Sequence, residues 1–257
     1  MKNLLILIVL FAAGCEESTH SEKPIEITFK EIPAGTFMMG DPGDPYHAKL
    51  HKVLINKAFF LQTTEVTQGQ WKALMGTEPW RGQEFSKYVK EGDNFPAVYV
   101  TWDDAIAYCE KLGEKDGKAY RLPTESEWEY ACRAGTTTTW SFGENEKSLG
   151  DYAWYKFNSF DVGEEYPHRV QLKMPNAFGL YDMHGNVSEW CQDYYVRDYQ
   201  KPQPDRDPFG SPQFYPRVVR GGSGEDSSRR SRSASRNAGD HDKGWAWNGF
   251  RVVRELD

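Results

Sequence analysis

Residues 182–190 read DMHGNVSEW, the chemically richest segment of this 257-residue chain. Asp182 and Glu189 carry carboxylates seven positions apart, and Gly185 between them lets the backbone bend. Such a segment can close around a hard cation, and calcium, which accepts about six to eight oxygens in flexible geometry, suits it better than magnesium. Zinc suits it less, because only His184 offers a nitrogen. The same spacing also fits a solvated acidic turn.

The chain around this segment is irregular. From Trp140 onward, aromatic residues alternate with Gly, Asn, Asp and Pro for over a hundred positions without helical or strand periodicity. A stretch of this length predicts a functional loop system, or one held in place by bound ligands.

Helices and short strands are predicted before residue 140. Helices begin after Thr67, Thr101 and Thr124, whose hydroxyls can cap open backbone amides. The first ends at Gly76, the third near Gly135. The second buries one face, formed by Ala105, Tyr108, Cys109 and Leu112. Strands are predicted over residues 25–29 and 52–55.

Composition favours one globular, acidic domain. The 14 Phe, 14 Tyr and 9 Trp can bury a substantial core, and Gly and Pro are spread along the chain without marking a linker. Without residues 1–14 the chain has 30 basic and 38 acidic residues, a formal charge of about −8. Nucleic acid is therefore not an expected partner, since that contact needs a positive field.

Residues 1–14 have the composition of a signal peptide, with Lys2 followed by an apolar run from Leu4 to Ala13. The run is too short to span a bilayer, which takes about 20 residues. The sequence FAAGC at residues 11–15 resembles the lipobox of bacterial lipoproteins. We expect an exported protein, lipid-anchored through Cys15 to the bacterial cell membrane or outer membrane, with residues 15–24 as a tether. The alternative is an ordinary signal peptide cut elsewhere.

Three cysteines remain besides Cys15, namely Cys109, Cys132 and Cys191. Their spacing matches no zinc motif, and a CxxC redox pair is absent. Export would permit one disulfide among them, but we favour buried structural thiols.

Seven blocks, taken in order, resemble the sulfatase-modifying-factor family, whose founding member is the formylglycine-generating enzyme. They read PAGTFMMG at 33–40, TEVT at 64–67, YRLPTESEWEYA at 120–131, PNAFGLYDM at 175–183, GNVSEW at 185–190, RGGS at 220–223 and GFRV at 249–252. The resemblance implies an α+β formylglycine-generating-enzyme fold related to C-type lectins, loop-rich with little regular secondary structure. This domain would cover residues 25–257.

The resemblance also implies a structural calcium ion at the segment described first. Its ligands would be the side chains of Asp182 and Glu189 and the carbonyls of Gly185 and Val187. A second calcium site of the family needs an Asn near residues 153–154, where this chain has Trp154. We expect the second site to be lost.

The family's oxidase activity depends on two cysteines shortly after RGGS, which bind copper and engage the substrate cysteine. Here no cysteine follows Ser223. Asp226 stands at the first position, and the second falls near Ser231. A carboxylate cannot supply the soft thiolate that copper(I) prefers. Copper and the conversion of cysteine to formylglycine are therefore not expected, and no catalytic residue is assigned.

Two classes of function remain open. The first is a binding or structural module of the cell envelope, in which a groove recognises a glycan, a peptide or a partner protein. The candidate groove residues are Ser223, Glu225, Asp226, Arg229, Trp245 and Trp247, which could equally decorate an exposed loop. The second is an oxidoreductase with a different metal site, or a diverged sulfatase-maturation factor. Non-haem iron would need two histidines and a carboxylate, but the histidines are dispersed along the sequence at positions 47, 51, 168, 184 and 241.

A basic run, RRSRSASR at residues 229–236, could indicate nucleic-acid binding. Its position in the resemblance places it inside the fold. We therefore expect its arginines to join loops through carboxylates.

Overall fold

The protein was analysed as a computed structural model that describes residues 26–41, 43, 50–196 and 216–256. The predicted signal peptide, Cys15, the tether and His47 lie outside these residues. The described residues form ten strands: β1 Phe29–Ile32, β2 Gly35–Met39, β3 His51–Ile55, β4 Phe59–Gln62, β5 Tyr120–Arg121, β6 Ser188–Tyr194, β7 Arg217–Arg220, β8 Arg236–Gly239, β9 Asn248–Gly249 and β10 Val253–Arg254. The four α-helices are α1 Gln68–Met75, α2 Trp102–Asp116, α3 Glu125–Arg133 and α4 Leu149–Tyr152. Short 3₁₀ turns cover Ser86–Tyr88, Glu146–Ser148, Lys156–Asn158 and Phe160–Val162.

The first three helices begin at the predicted caps. Thr67, Thr101 and Thr124 each accept a hydrogen bond from the third helical amide, and the side chain of that third residue returns a hydrogen bond to the cap. These reciprocal contacts satisfy amides that a helix start leaves open. Helix α1 ends at Gly76 as expected, whereas the left-handed residue that ends α3 is Ala134 rather than Gly135.

Three small sheets carry the strands. The orders are β1-β4-β10-β5, β2-β3 and β8-β7-β6-β9. Strand β1 pairs with β4 from Phe29 opposite Gln62 to Ile32 opposite Phe59. The predicted strand at 25–29 is therefore displaced toward the C-terminus, because the fully buried Ile32 fixes the pairing register.

The sheet β8-β7-β6-β9 brings distant loops to one end. Strand β6 runs antiparallel to β7, with Glu189 opposite Arg220, and parallel to β9, with Ser188 opposite Asn248. The start of β6, the end of β7 and the start of β9 therefore lie side by side. The loops before β6, after β7 and before β9 consequently meet there.

Aromatic residues dominate the core around this sheet. Trp128, Trp190 and Trp247 are among the largest fully buried side chains. The described cysteines, at positions 109, 132 and 191, are buried and not disulfide-bonded, which confirms the prediction of structural thiols. Within the described ranges, no helix is both long and apolar enough to span a bilayer.

Candidate functional site

The loop before β6 has a strained backbone. Asp182 and Asn186 adopt positive φ angles of 60° and 68°, which non-glycine residues rarely do. Gly185 lies against Trp154, since a Cβ added there would stand 2.1 Å from the Trp154 carbonyl oxygen. Strain of this kind is common at ligand-binding positions, where the surrounding structure holds the backbone in place.

Asn186 holds the loop in place from its centre. Its side-chain nitrogen donates to a carboxylate oxygen of Glu65 at 3.2 Å and to the His168 carbonyl at 3.1 Å. Its side-chain oxygen accepts from the His168 amide at 2.7 Å. The loop is therefore joined to two segments that are distant in sequence.

Three carboxylates gather in the interior around this loop, from Glu65, Asp182 and Glu189, and all are at least 98% buried. Arg251 donates to both oxygens of Glu189 at 2.7 Å, and the Trp128 indole donates to one of them at 2.8 Å. One guanidinium thus faces three carboxylates, which leaves an excess of negative charge away from water.

Burial raises the pKa of the other two carboxyl groups, those of Asp182 and Glu65. The pKa of Asp182 reaches about 6, and that of Glu65 lies well above its ordinary value. For Glu65, the neighbouring Asp182 and Glu189 add to the pKa increase. One oxygen of each, Oε2 of Glu65 and Oδ1 of Asp182, is buried without a hydrogen-bond partner. The other oxygen of Asp182 accepts from the Gln171 amide at 2.8 Å.

These orphaned oxygens fit a bound calcium ion, which would neutralise the excess charge and use oxygens that lack donors. Glu65 was missed as a candidate ligand, although it lies in the TEVT block quoted for the resemblance. Glu189, in contrast, already has both oxygens in contact with Arg251 and Trp128. Across the described residues, no three His, Cys, Asp or Glu side chains are arranged to hold a metal ion by themselves, so backbone carbonyls would have to complete any site.

His184, at the centre of the loop, does not face an open site. Its Nε2 accepts from the Ser141 amide at 3.1 Å, and its Nδ1 lies 2.9 Å from the Ser231 carbonyl, to which it donates. Burial lowers its pKa to about 4, so the ring is neutral. Both nitrogens are used to join loops.

The loop after β7 meets this site through its backbone. The Gly224 amide donates to the Asn186 carbonyl at 3.0 Å, and the Ser188 amide donates to the Trp247 carbonyl at 2.8 Å. The candidate groove and the candidate calcium loop therefore form one connected region.

The six predicted groove residues occupy different depths. Glu225, Arg229 and Trp245 are exposed, and Asp226 is partly buried and accepts from the Ser223 hydroxyl at 2.8 Å. Trp247 is only 1% exposed and lies beneath Gly224, where an added Cβ would stand 2.6 Å from its ring. This differs from the expectation that both tryptophans line the groove, because Trp247 supports the loop from below. Ser223, also predicted in the groove, is likewise only 1% exposed.

Two arginines of the basic run, Arg232 and Arg236, join loops as expected, whereas Arg229 and Arg230 are exposed rather than inside the fold. Arg232 hydrogen-bonds to Asp41, and Arg236 to the buried Glu125. Arg220, just before the run, contacts Glu129 and Glu125. Buried guanidinium and carboxylate groups in such a network stabilise loop positions.

Residues 16–256 match the protein family described as Sulfatase-modifying factor enzyme 1-like domain. The chain belongs to this family. It is 33% identical over 190 residues to the formylglycine-generating enzyme of Streptomyces coelicolor. The aligned region covers 69% of this chain and 59% of that enzyme. It is 34% identical over 200 residues to the enzyme of that name from Thermomonospora curvata, covering 72% of this chain and 64% of the relative. The chain thus spans less than two thirds of the length of these relatives.

The fold resembles that of a solved structure, PvdO from Pseudomonas aeruginosa. The two are 31% identical with a TM-score of 0.78, covering 91% of this chain and 100% of PvdO. Together with the family match and the observed mix of helices and strands, this similarity confirms the α+β formylglycine-generating-enzyme fold class.

The positions where the family resemblance places catalytic cysteines have no thiol in this member. Asp226 hydrogen-bonds to Ser223 and lies 3.6 Å from Arg230. Ser231 is fully buried, and its hydroxyl donates to the Ser227 carbonyl. Burial raises the pKa of Cys109 and Cys132 to about 12 and that of Cys191 well above its ordinary value. These thiols therefore stay protonated near neutral pH, and buried protonated thiols are poor nucleophiles.

Proposed function

We propose that this chain is an exported, lipid-anchored member of the sulfatase-modifying-factor family that acts as a non-catalytic binding or structural module of the cell envelope. The observation that carries the proposal is the chemistry at position 226. A carboxylate hydrogen-bonded to Ser223 replaces the thiol that the resemblance expects. The described thiols all lie in the interior.

A structural calcium ion supports this module. The ligands would come from Asp182, Glu189 and the carbonyls of Gly185 and Val187, with Glu65 as a further carboxylate. When bound, calcium supplies positive charge and fixes the loop geometry. The chain's own residues position the loop: Asn186 joins it to Glu65 and to His168, and Arg251 holds Glu189.

The proposed anchor is Cys15, acylated after removal of residues 1–14. It would hold the domain at a membrane surface, where partners would be envelope proteins, peptides or glycans rather than nucleic acid. Metabolic labelling with an alkyne fatty acid tests it: we expect label on the wild type and on Cys109→Ala, and none on Cys15→Ala. Label on Cys15→Ala would contradict the anchor.

The non-catalytic role is tested by incubating the purified protein with copper and a peptide carrying a sulfatase-type cysteine motif. The formylglycine-generating enzyme of Streptomyces coelicolor serves as the positive control. We expect mass spectrometry to find the peptide unchanged with our protein and converted by the control. Conversion of the thiol to an aldehyde by our protein would overturn the proposal and favour a diverged sulfatase-maturation factor.

A further inference from the structure

Two exposed aromatic rings stand beside the loop that carries Glu225. The rings of Phe85 and Trp245 have centroids 5.5 Å apart and are tilted by 59°. They are 38% and 42% exposed, which is unusual for such large apolar side chains. Phe85 also lies against Tyr88, and Tyr88 against the buried Trp247 beneath Gly224. The aromatic pair and the acidic loop are thus parts of one surface.

The backbone holds these rings in position. The Trp245 carbonyl accepts from the Tyr99 amide at 3.0 Å, and the neighbouring Gly244 packs so closely that an added Cβ would stand 2.3 Å from the Tyr99 carbonyl oxygen. Phe85 precedes the 3₁₀ turn Ser86–Tyr88, in which the Tyr88 amide donates to the Phe85 carbonyl at 3.0 Å. A main chain fixed at both residues reduces the entropy that is lost when a ligand binds to the rings.

The carboxylate of Glu225 is not engaged in a salt bridge on this surface. Within the described part of the chain, no ion pair involves it, whereas neighbouring Asp226 lies 3.6 Å from Arg230. Burial raises the pKa of Glu225 and Asp226 raises it further, whereas hydrogen bonding from the Trp245 side chain and the positive charge of Arg230 lower it. The side chains of Trp245 and Glu225 are therefore neighbours on this surface.

Two tilted rings and a carboxylate that forms no salt bridge are together complementary to a cation. An aromatic face attracts ammonium and guanidinium groups, and a carboxylate accepts their hydrogen bonds. The molecule already places cations on rings, with Lys87 Nζ 4.4 Å from the Tyr88 ring centre and the Arg217 guanidinium 3.6 Å from those of both Trp102 and Tyr194.

We infer that Phe85, Trp245 and Glu225 form a seat for one cationic side chain, lysine or arginine, from an exposed segment of a partner protein. This inference rests on the proposed binding function and names the chemistry that its groove recognises. The seat uses only the exposed residues of the region, so it requires no rearrangement of Trp247 or Ser223.

The test follows the indole N–H signal of Trp245 by NMR in the full-length protein in detergent, assigned with Trp245→Phe. The probes are N-acetyl-arginine amide, its neutral citrulline analogue and the disaccharide of N-acetylglucosamine. We expect saturable, salt-sensitive shifts with the arginine probe alone. Affinity should fall about fivefold in Glu225→Gln, since an exposed charged contact to a ring and carboxylate is weak. Glu110→Gln, on the solvent side of α2, should bind as the wild type does.

Three outcomes would overturn the seat: equal shifts with citrulline, shifts with the disaccharide alone, or unchanged arginine affinity in Glu225→Gln at unchanged melting temperature. The non-catalytic role and the seat can be refuted independently of each other. Peptide conversion with arginine binding intact refutes only the non-catalytic role. Absence of both conversion and arginine binding refutes only the seat.

Discussion

The Arg251 guanidinium contacts both carboxylate oxygens of Glu189 in the interior, with Nε 2.7 Å from Oε2 and Nη2 2.7 Å from Oε1. The same guanidinium donates to the carbonyls of Gln62 and Tyr181. It therefore joins β4, the loop before β6 and β6 itself. The candidate calcium loop depends on this pair, since Glu189 is both a predicted ligand and the partner of Arg251.

Removing Arg251 alone should be strongly destabilising, because a buried carboxylate loses its counter-charge. We expect Arg251→Met to lower the free energy of unfolding by about 3–5 kcal/mol in urea titrations. Adding Glu189→Leu should recover part of that loss, because both charges are then absent. Arg81→Met, which removes exposed ion pairs with Glu78 and Glu91, should cost less than about 1 kcal/mol. An Arg251→Met variant as stable as Arg81→Met would contradict this role.

Chelation should lower the melting temperature of the wild-type protein, because calcium bound only to the folded state stabilises it by mass action. Glu65→Gln and Asp182→Asn each remove a charge from the cluster and should reduce this response. Asp103→Asn, an exposed control on α2, should leave the response unchanged. A melting temperature that does not change in excess EDTA would refute the calcium site.

Asp193 should make stability depend on pH. Burial and, to a smaller extent, the nearby Glu125 together raise its pKa to about 7. Between the unfolded pKa and about 7 the folded state keeps a proton that the unfolded state has lost, so stability falls as pH rises through this range and levels off above it. Relative to wild type, Asp193→Asn should gain about 2–3 kcal/mol between pH 5 and pH 8 in urea titrations. Asp242→Asn, an exposed control, should show no such gain; an equal gain in both would contradict the assignment.

Gly185 should not tolerate a side chain. Gly185→Ala would place a Cβ 2.1 Å from the Trp154 carbonyl oxygen, and backbone cannot move aside as a flexible side chain can. We expect a loss of at least about 2 kcal/mol in unfolding free energy. Gly150→Ala is the control, since its Cβ would meet Asn158 at an ordinary 3.6 Å. Equal melting temperatures for the two variants would argue against the close packing of this loop.

The sequence predicted the features that depend on contacts between residues close together in the chain. The caps at Thr67, Thr101 and Thr124 were visible because both partners of each capping box lie within four residues. The family blocks predicted the fold class for the irregular half of the chain, where periodicity predicted nothing.

Long-range relationships could not be predicted in this way. Glu65 and Asn186 are 121 positions apart, and their hydrogen bond depends on how the sheets place the loops. Likewise, no local pattern separates the exposed Trp245 from the buried Trp247, since the difference arises from Gly224 packing onto the second ring. That Glu225 forms no salt bridge within the described residues is also a property of the assembled surface.

Metal analysis of the natively purified protein tests most directly whether this family member is a binding module rather than an enzyme. We predict about one calcium ion per chain, with copper and iron far below one per chain. Copper or iron at one per chain would contradict the account, because a redox-active metal would then be held by ligands other than the missing cysteines.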